Sequence, residues 1–130
     1  QVLMMRLKTD LLEIINCATK NEINKINIMW NKKNCISIVL CAKGYPSSYI
    51  KDSEIKNLSK ILSDKNNQIF HAGTYEKNGK IFSKSGRVLN ITSLSRHLKE
   101  ARDKSLDNLN KINWPDGFFR KDIGWKIIKK

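Results

Sequence analysis

The sequence predicts an α+β fold: a small antiparallel β-sheet with an amphipathic helix near the N-terminus and another near the C-terminus. Three observations predict it. Apolar residues recur at helical spacing near both ends of the 130-residue chain. Short runs rich in Ile, Val and Thr fill the middle. Tight turns separate those runs, and strands joined by tight turns must pair antiparallel, because a parallel pair needs a long crossover.

Leu3, Leu7, Leu11, Ile14, Ile15 and Ala18 recur every three or four residues. That spacing predicts one helix over Val2 to Thr19, with Met4 and Met5 widening its apolar stripe. Asn21 to Lys25 is a short link. Asn27 to Trp30 and Cys35 to Ala42 are predicted strands around the polar turn Asn31 to Asn34. In the second, the two-residue period sends Ile36, Ile38, Leu40 and Ala42 to one face and Cys35, Ser37, Val39 and Cys41 to the other. Gly44-Tyr45-Pro46-Ser47-Ser48-Tyr49 is a turn-rich loop. Lys51 to Asn67 is polar, with Ile55, Leu58, Ile61 and Leu62, and fits a short helix or an irregular excursion. Asn78-Gly79 predicts a hairpin between Gln68 to Thr74 and Lys80 to Ser83. Ser85-Gly86 turns again into a strand over Arg87 to Thr92. Leu94, Leu98, Ala101, Leu106, Leu109 and Ile112 mark the second helix, with Ser93 or Ser95 as its expected cap. Trp114-Pro115 stops it, and Asp116-Gly117 leads to a last strand, Phe118 to Trp125. The two helices are expected to cover one face of the sheet.

Composition narrows the function classes. Apolar residues make up 40% and charged residues 28%, as in a folded globular domain. The longest apolar run, Cys35 to Ala42 and interrupted by Ser37, is far shorter than the roughly 20 residues that span a bilayer, so no membrane role is expected. The formal charge of +13 invites a nucleic-acid-binding module as an alternative. Its make-up argues against that: 20 Lys and only 5 Arg, scattered and set among many Asn and Ile, suggest an AT-rich genome. Arg is the residue that bidentate phosphate or base readout prefers. Trp30, Trp114 and Trp125 sit far apart in apolar contexts, which predicts core packing rather than a base-stacking face. Cys17, Cys35 and Cys41 form no metal-ligand pattern, and no secretory signal is seen. A reducing, cytoplasmic location is expected. The chain starts at Gln1 and runs straight into a helical pattern, which reads as a piece of a longer protein.

No complete active site is visible by spacing: there is no Gly-Lys-Ser/Thr phosphate loop, Gly-x-Ser-x-Gly elbow or His-Glu-x-x-His pair. His97 reads as a solvated helix residue and His71 as a hydrogen-bonded structural histidine. More suggestive are two glycine-bearing segments, Phe70-His71-Ala72-Gly73-Thr74 and Ser85-Gly86-Arg87-Val88-Leu89, where small residues let the backbone approach a ligand. Arg87 could hold an anion with its planar fork. Arg120 and Asp122 are two apart on one strand face and are expected to pair.

These same residues carry a family resemblance. Gly44-Tyr45-Pro46, Phe70-His71-Ala72-Gly73-Thr74, Gly86-Arg87-Val88-Leu89 and Phe119-Arg120-Lys121-Asp122-Ile123-Gly124-Trp125 stand in this order and spacing. So arranged, they resemble the C-terminal part of the phosphoribosylamine–glycine ligases, also called glycinamide ribonucleotide synthetases. Arg6-Leu7-Lys8-Thr9-Asp10-Leu11-Leu12 resembles the helix after that family's Gly-Asp-Pro-Glu-Thr-Gln motif, whose last residue would be Gln1. The family usually has Gly at the positions of Ser47 and Ser85, and Ser at that of Thr9. Ser47 and Ser85 therefore need backbone angles open to non-glycine residues.

The resemblance implies the C-terminal domain of an ATP-grasp ligase, with residues 1–22 the end of the ATP-grasp core and 23–130 the C-terminal α+β domain. It implies ATP and Mg2+ (or Mn2+) as the full-length enzyme's nucleotide and metal, both held upstream of Gln1. The implied partners are the upstream ATP-grasp and N-terminal domains of the same chain and small-molecule substrates. Lys8, Arg87 and Arg120 are the candidate cations for the phosphate of phosphoribosylamine. His71 and Thr74 are candidates for neutral hydrogen bonds to its sugar. No catalytic residue and no metal ligand is expected within these 130 residues, and no turnover by them alone.

Overall fold

Nine residues of alternating character, Asn34–Ala42, form the central strand β1, with Ile36, Ile38, Leu40 and Ala42 buried on one side. The computed structural model describes residues 1–61 and 64–128. Before β1 lie helices α1 (Val2–Arg6) and α2 (Leu11–Thr19). After it come β2 (Glu54–Ile55), β3 (Asn67–His71), β4 (Thr74–Lys77), β5 (Lys80–Ser83), β6 (Arg87–Ser95), α3 (Leu98–Lys111), β7 (Gly117–Phe118) and the single turn α4 (Trp125–Ile128). Two antiparallel sheets result, β3-β6-β1-β7 and the smaller β2-β5-β4.

The α+β class and the antiparallel pairing follow the sequence expectation; several elements do not. The predicted N-terminal helix is split. Leu7 is extended and bridges Trp30, while the Asn31 N–H donates to Arg6 O (2.6 Å) and the Lys8 N–H to Met29 O (3.0 Å). Thr9 Oγ1 accepts from the Met29 N–H (2.7 Å), and Asp10 Oδ1 then caps α2 by accepting from the Leu12 N–H (2.7 Å). Backbone partners in residues 29–31 thus replace the helical bonds that apolar spacing alone would predict. The expected strand Asn27 to Trp30 shrinks to that one bridge.

The expected hairpin is also divided. β3 stays in the larger sheet beside β6, and the chain then switches sheets, so only β4 pairs with β5. The switch falls at Ala72-Gly73, whose two N–H groups both donate to Val88 O (3.0 Å each). Asn78 and Gly79 take positive φ (51° and 72°), as a tight two-residue hairpin requires. The stretch from Lys51 to Asn67 is an irregular excursion holding β2 and a 3-10 turn at Leu58–Lys60; Leu62 lies outside the described residues.

Strand β6 runs on to Ser95, so Leu94 belongs to the sheet and not to the helix. Neither Ser93 nor Ser95 caps α3; His97 occupies the N-cap position, exposed, and the Ser95 hydroxyl donates instead to Glu100 Oε2 (2.7 Å). That bond holds the Glu100 carboxyl below its ordinary range. The expected last strand, Phe118 to Trp125, is two residues of β7, a turn and α4.

The helices do not share a face. α3 packs on the Leu40 side, where the Ser105 hydroxyl donates to the equally buried Ser93 Oγ (2.9 Å). α1 lies across the other side, next to β1 and β6. The core gathers Ile38, Leu40, Val88, Leu89, Ile91 and Leu109, with Trp114 donating from Nε1 to Ser53 Oγ (2.7 Å). Trp114 is the tryptophan of that core; Trp30 and Trp125 are 44% and 43% exposed, contrary to the packing expected for all three.

Candidate functional site

Cross-strand pairing decides which side chains can meet, because directly opposed residues share a face. Val39 pairs with Asn90, and Asn90 with Phe70, so these three lie on the side away from α3. A regular strand would send Arg87, three residues from Asn90, to the opposite side. The ladder slips between Leu40 and Cys41, so Cys41 stands opposite Arg87. This bulge turns Val88 and Leu89 both into the core and leaves Arg87 on the Asn90 side.

Two hollows open on that side. One, about 320 Å3, is lined by Ser37, Val39, Cys41, Tyr45, Arg87, Phe118, Arg120 and Ile123 and is largely apolar. The other, about 340 Å3, is lined by Gln1, Val39, Ala72, Arg87 and Asn90. Arg87 and Val39 belong to both. The walls are set by glycines that admit no Cβ. One on Gly86 would fall within the Tyr45 ring, and one on Gly73 would press on Ser85 Oγ and the Arg87 carbonyl. Ser47 and Ser85 are not at positive φ, so both turns admit a residue other than glycine. The Ser85 hydroxyl donates to Arg87 O (2.8 Å) and helps fix that turn.

The sequence-predicted site residues divide. Arg87 and Arg120 come together on one wall. Arg87 is exposed and, among the described residues, makes no ion pair, so its guanidinium is available to an anion. Arg120 is held by a two-pronged contact with Asp122 (Nε–Oδ1 3.0 Å, Nη2–Oδ2 2.7 Å). The pair forms in a turn and not on the expected strand. It raises the Arg120 pKa and holds the Asp122 carboxyl below its usual range. His71 pairs with Leu89, which places it on the opposite side from Arg87; its Nδ1 meets Thr74 Oγ1 at 2.8 Å. Lys8 is exposed at the break between α1 and α2. Lys8, His71 and Thr74 stand outside the lining of both hollows.

Gln1, Tyr45 and Asn90 were missed by sequence reasoning. Asn90 had a signal: a polar residue inside a strand buried on both faces. Cys41 lines the first hollow as a neutral thiol; burial pushes its pKa up, partly opposed by the Arg87 charge. A larger open groove, about 630 Å3, runs along α2 past Asp10, Leu12 and Ile15, but its lining comes from α2 and its cap alone and includes no Lys or Arg. Among the described residues no cluster of three His, Cys, Asp or Glu could hold a metal ion, and no helix is long and apolar enough to cross a membrane.

Residues 35–126 match the family model described as "Phosphoribosylglycinamide synthetase, C domain". A phosphoribosylamine–glycine ligase of Brucella melitensis biotype 1 is 39% identical over 130 residues, which is all of this chain and 30% of the relative. The chloroplastic phosphoribosylamine–glycine ligase of Arabidopsis thaliana is 40% identical over 132 residues, all of this chain and 25% of the relative. The crystal structure of phosphoribosylamine–glycine ligase from Thermotoga maritima superposes with a TM-score of 0.65 at 27% identity, covering 86% of this chain and 28% of that one. The chain thus spans between 25% and 30% of the length of these three relatives.

Proposed function

The chain belongs to the phosphoribosylglycinamide synthetase C-domain family, and from that premise we propose that it is the C-terminal wall of an ATP-dependent ligase. The full-length enzyme joins glycine to 5-phosphoribosylamine and yields glycinamide ribonucleotide, a step of purine biosynthesis. In this reading the glycine carboxylate takes the terminal phosphoryl group of ATP and releases ADP. The phosphoribosylamine nitrogen attacks the resulting acyl carbon, loses a proton, and phosphate departs. ATP and Mg2+ (or Mn2+) are assigned to the upstream ATP-grasp and N-terminal domains, as the family resemblance implies. The division into residues 1–22 and 23–130 belongs to the same proposal. It is supported by a family match that begins at residue 35, beyond both α1 and α2. So does a cytoplasmic location, supported by three unpaired cysteines; the Arabidopsis relative is chloroplastic. The nucleic-acid alternative gains nothing from the comparisons.

The observation that carries the reading is the Arg87 guanidinium, unpaired among the described residues and shared by two hollows on the sheet face away from α3. It holds the phosphate of phosphoribosylamine, with Arg120 beside it. An anion gains more from Arg87, because the Asp122 carboxylate already offsets the Arg120 charge. Replacing Arg87 with Ala in the full-length enzyme should raise the KM for phosphoribosylamine tenfold or more, in the range of about 1.5–3 kcal/mol for a charged hydrogen bond. The KM for ATP should stay within about twofold of wild type, well under 1.4 kcal/mol. Equal effects on both would refute the assignment. The same split tests Lys8, His71 and Thr74, which remain part of the proposal.

A further inference from the structure

Asn90 is 94% buried by difference from its 6% exposure, yet among the described residues its side-chain amide makes no hydrogen bond. Its amide is not among the buried unpartnered atoms, so water can serve it in the free protein and a ligand group can take that water's place. What exposure Asn90 retains opens into the hollow it lines with Gln1, Val39, Ala72 and Arg87. Elsewhere on β6, buried polar side chains are satisfied internally: the Thr92 hydroxyl donates to Ser37 Oγ (2.8 Å), and Ser93 accepts from Ser105. Asn90 is therefore unlike its neighbours on β6, and it lines the same hollow as Arg87.

We infer that Asn90 is a specificity-determining residue, which hydrogen-bonds a neutral hydroxyl of the substrate whose anionic end Arg87 holds. The inference rests on the ligase reading above and adds to it the contact that would distinguish a phosphorylated sugar from a bare phosphate. The chemistry fits a hydroxyl. An amide offers donors and an acceptor but no charge, so it matches a group that also donates and accepts. Phe70 and Val39, opposite Asn90 on either side, restrict water there and strengthen such a bond. A site built to hydrogen-bond a hydroxyl rejects the analogue lacking it, because its own polar group is then left unpaired.

The test uses the full-length enzyme, with phosphoribosylamine and its 2-deoxy and 3-deoxy analogues as substrates. Wild type should favour phosphoribosylamine over one of the analogues by about tenfold or more in kcat/KM. Asn90→Ala should lower that preference to within about twofold by raising the KM for phosphoribosylamine, with the KM values for ATP and glycine unchanged. Asn90→Ser, which keeps a hydroxyl, should restore part of the preference. The melting temperature of Asn90→Ala should stay close to that of wild type, since the substitution breaks no bond of the amide to a described residue. Wild type that turns over normally but shows no preference, or Asn90→Ala with preference intact, would overturn this inference and leave the ligase reading standing. So would a lowered melting temperature with equal rises in all three KM values, since Asn90 would then be structural. Wild type that forms no glycinamide ribonucleotide would overturn both.

Discussion

Gly86 offers the sharpest test of how the hollow is built. An added Cβ there would fall inside the Tyr45 ring, whereas the glycine's φ is not in the left-handed region. Any penalty for Gly86→Ala is therefore steric, and it depends on one side chain. Overpacking of this kind costs about 1–3 kcal/mol. In a small domain that is a fall of about 4–8 °C per kcal/mol in melting temperature. Tyr45→Ala removes the obstacle, so Gly86→Ala made on that background should be close to neutral. The double-mutant cycle should then return a coupling of about 1–3 kcal/mol, nearly the whole cost of the single glycine substitution. Urea denaturation of the four variants, followed by the fluorescence of buried Trp114, measures all four corners. Tyr45 also lines the hollow with Arg87, so on the function proposed above Gly86→Ala should raise the phosphoribosylamine KM of the full-length enzyme as well. Additive single and double variants would refute the reasoning, because the glycine would then be required for some reason other than the ring.

Two further outcomes are expected. Ser105→Ala leaves the fully buried Ser93 hydroxyl without its partner and should destabilise by about 1–3 kcal/mol, whereas Ser93→Ala/Ser105→Ala removes both groups and should recover part of that loss in the same denaturation assay. Asp122 is exposed but hydrogen-bonded by Arg120, so its folded-state pKa lies below the unfolded one. Whatever it contributes to stability is present above the unfolded carboxylate pKa near 3.9 and lost as pH falls through the lower folded value. NMR titration should show Arg120→Ala moving the Asp122 midpoint upward, and an unmoved midpoint would count against the pairing.

The sequence made some of this architecture legible and hid the rest for physical reasons. Cys35 to Ala42 alternates strictly because one face meets α3 and the other lines a hollow, so its period could be read directly. The split between α1 and α2 was masked, since Leu3, Leu7, Leu11 and Ile14 keep helical spacing straight through it. Its local sign was Asp10 followed three residues later by Glu13, an N-terminal pattern inside an apparently continuous helix. The change of sheet at Ala72-Gly73 depends on the distant Val88 carbonyl, and no local pattern encodes that. Arg87 was legible as a candidate from its glycine neighbour and from family likeness. Asn90 was legible only as a polar residue inside an apolar strand; its place beside Arg87 depends on the pairing of three strands together. The exposure of Trp30 and Trp125 likewise reflects tertiary position, not residue type. Nearby apolar groups on residues 1–30, with Leu12 at 74% exposure, belong to a segment whose sequence is amphipathic but which buries little within this chain.

The slip opposite Cys41 has a consequence for comparing members of this family. Strand faces are counted in twos, and here an inserted half-period makes an odd interval behave as an even one. A member whose ladder runs straight would need its cation at the column of Val88 to occupy the same space. Equivalent charges should therefore be matched by pairing phase, since a column-by-column match of letters would set some of them on the wrong side of the wall.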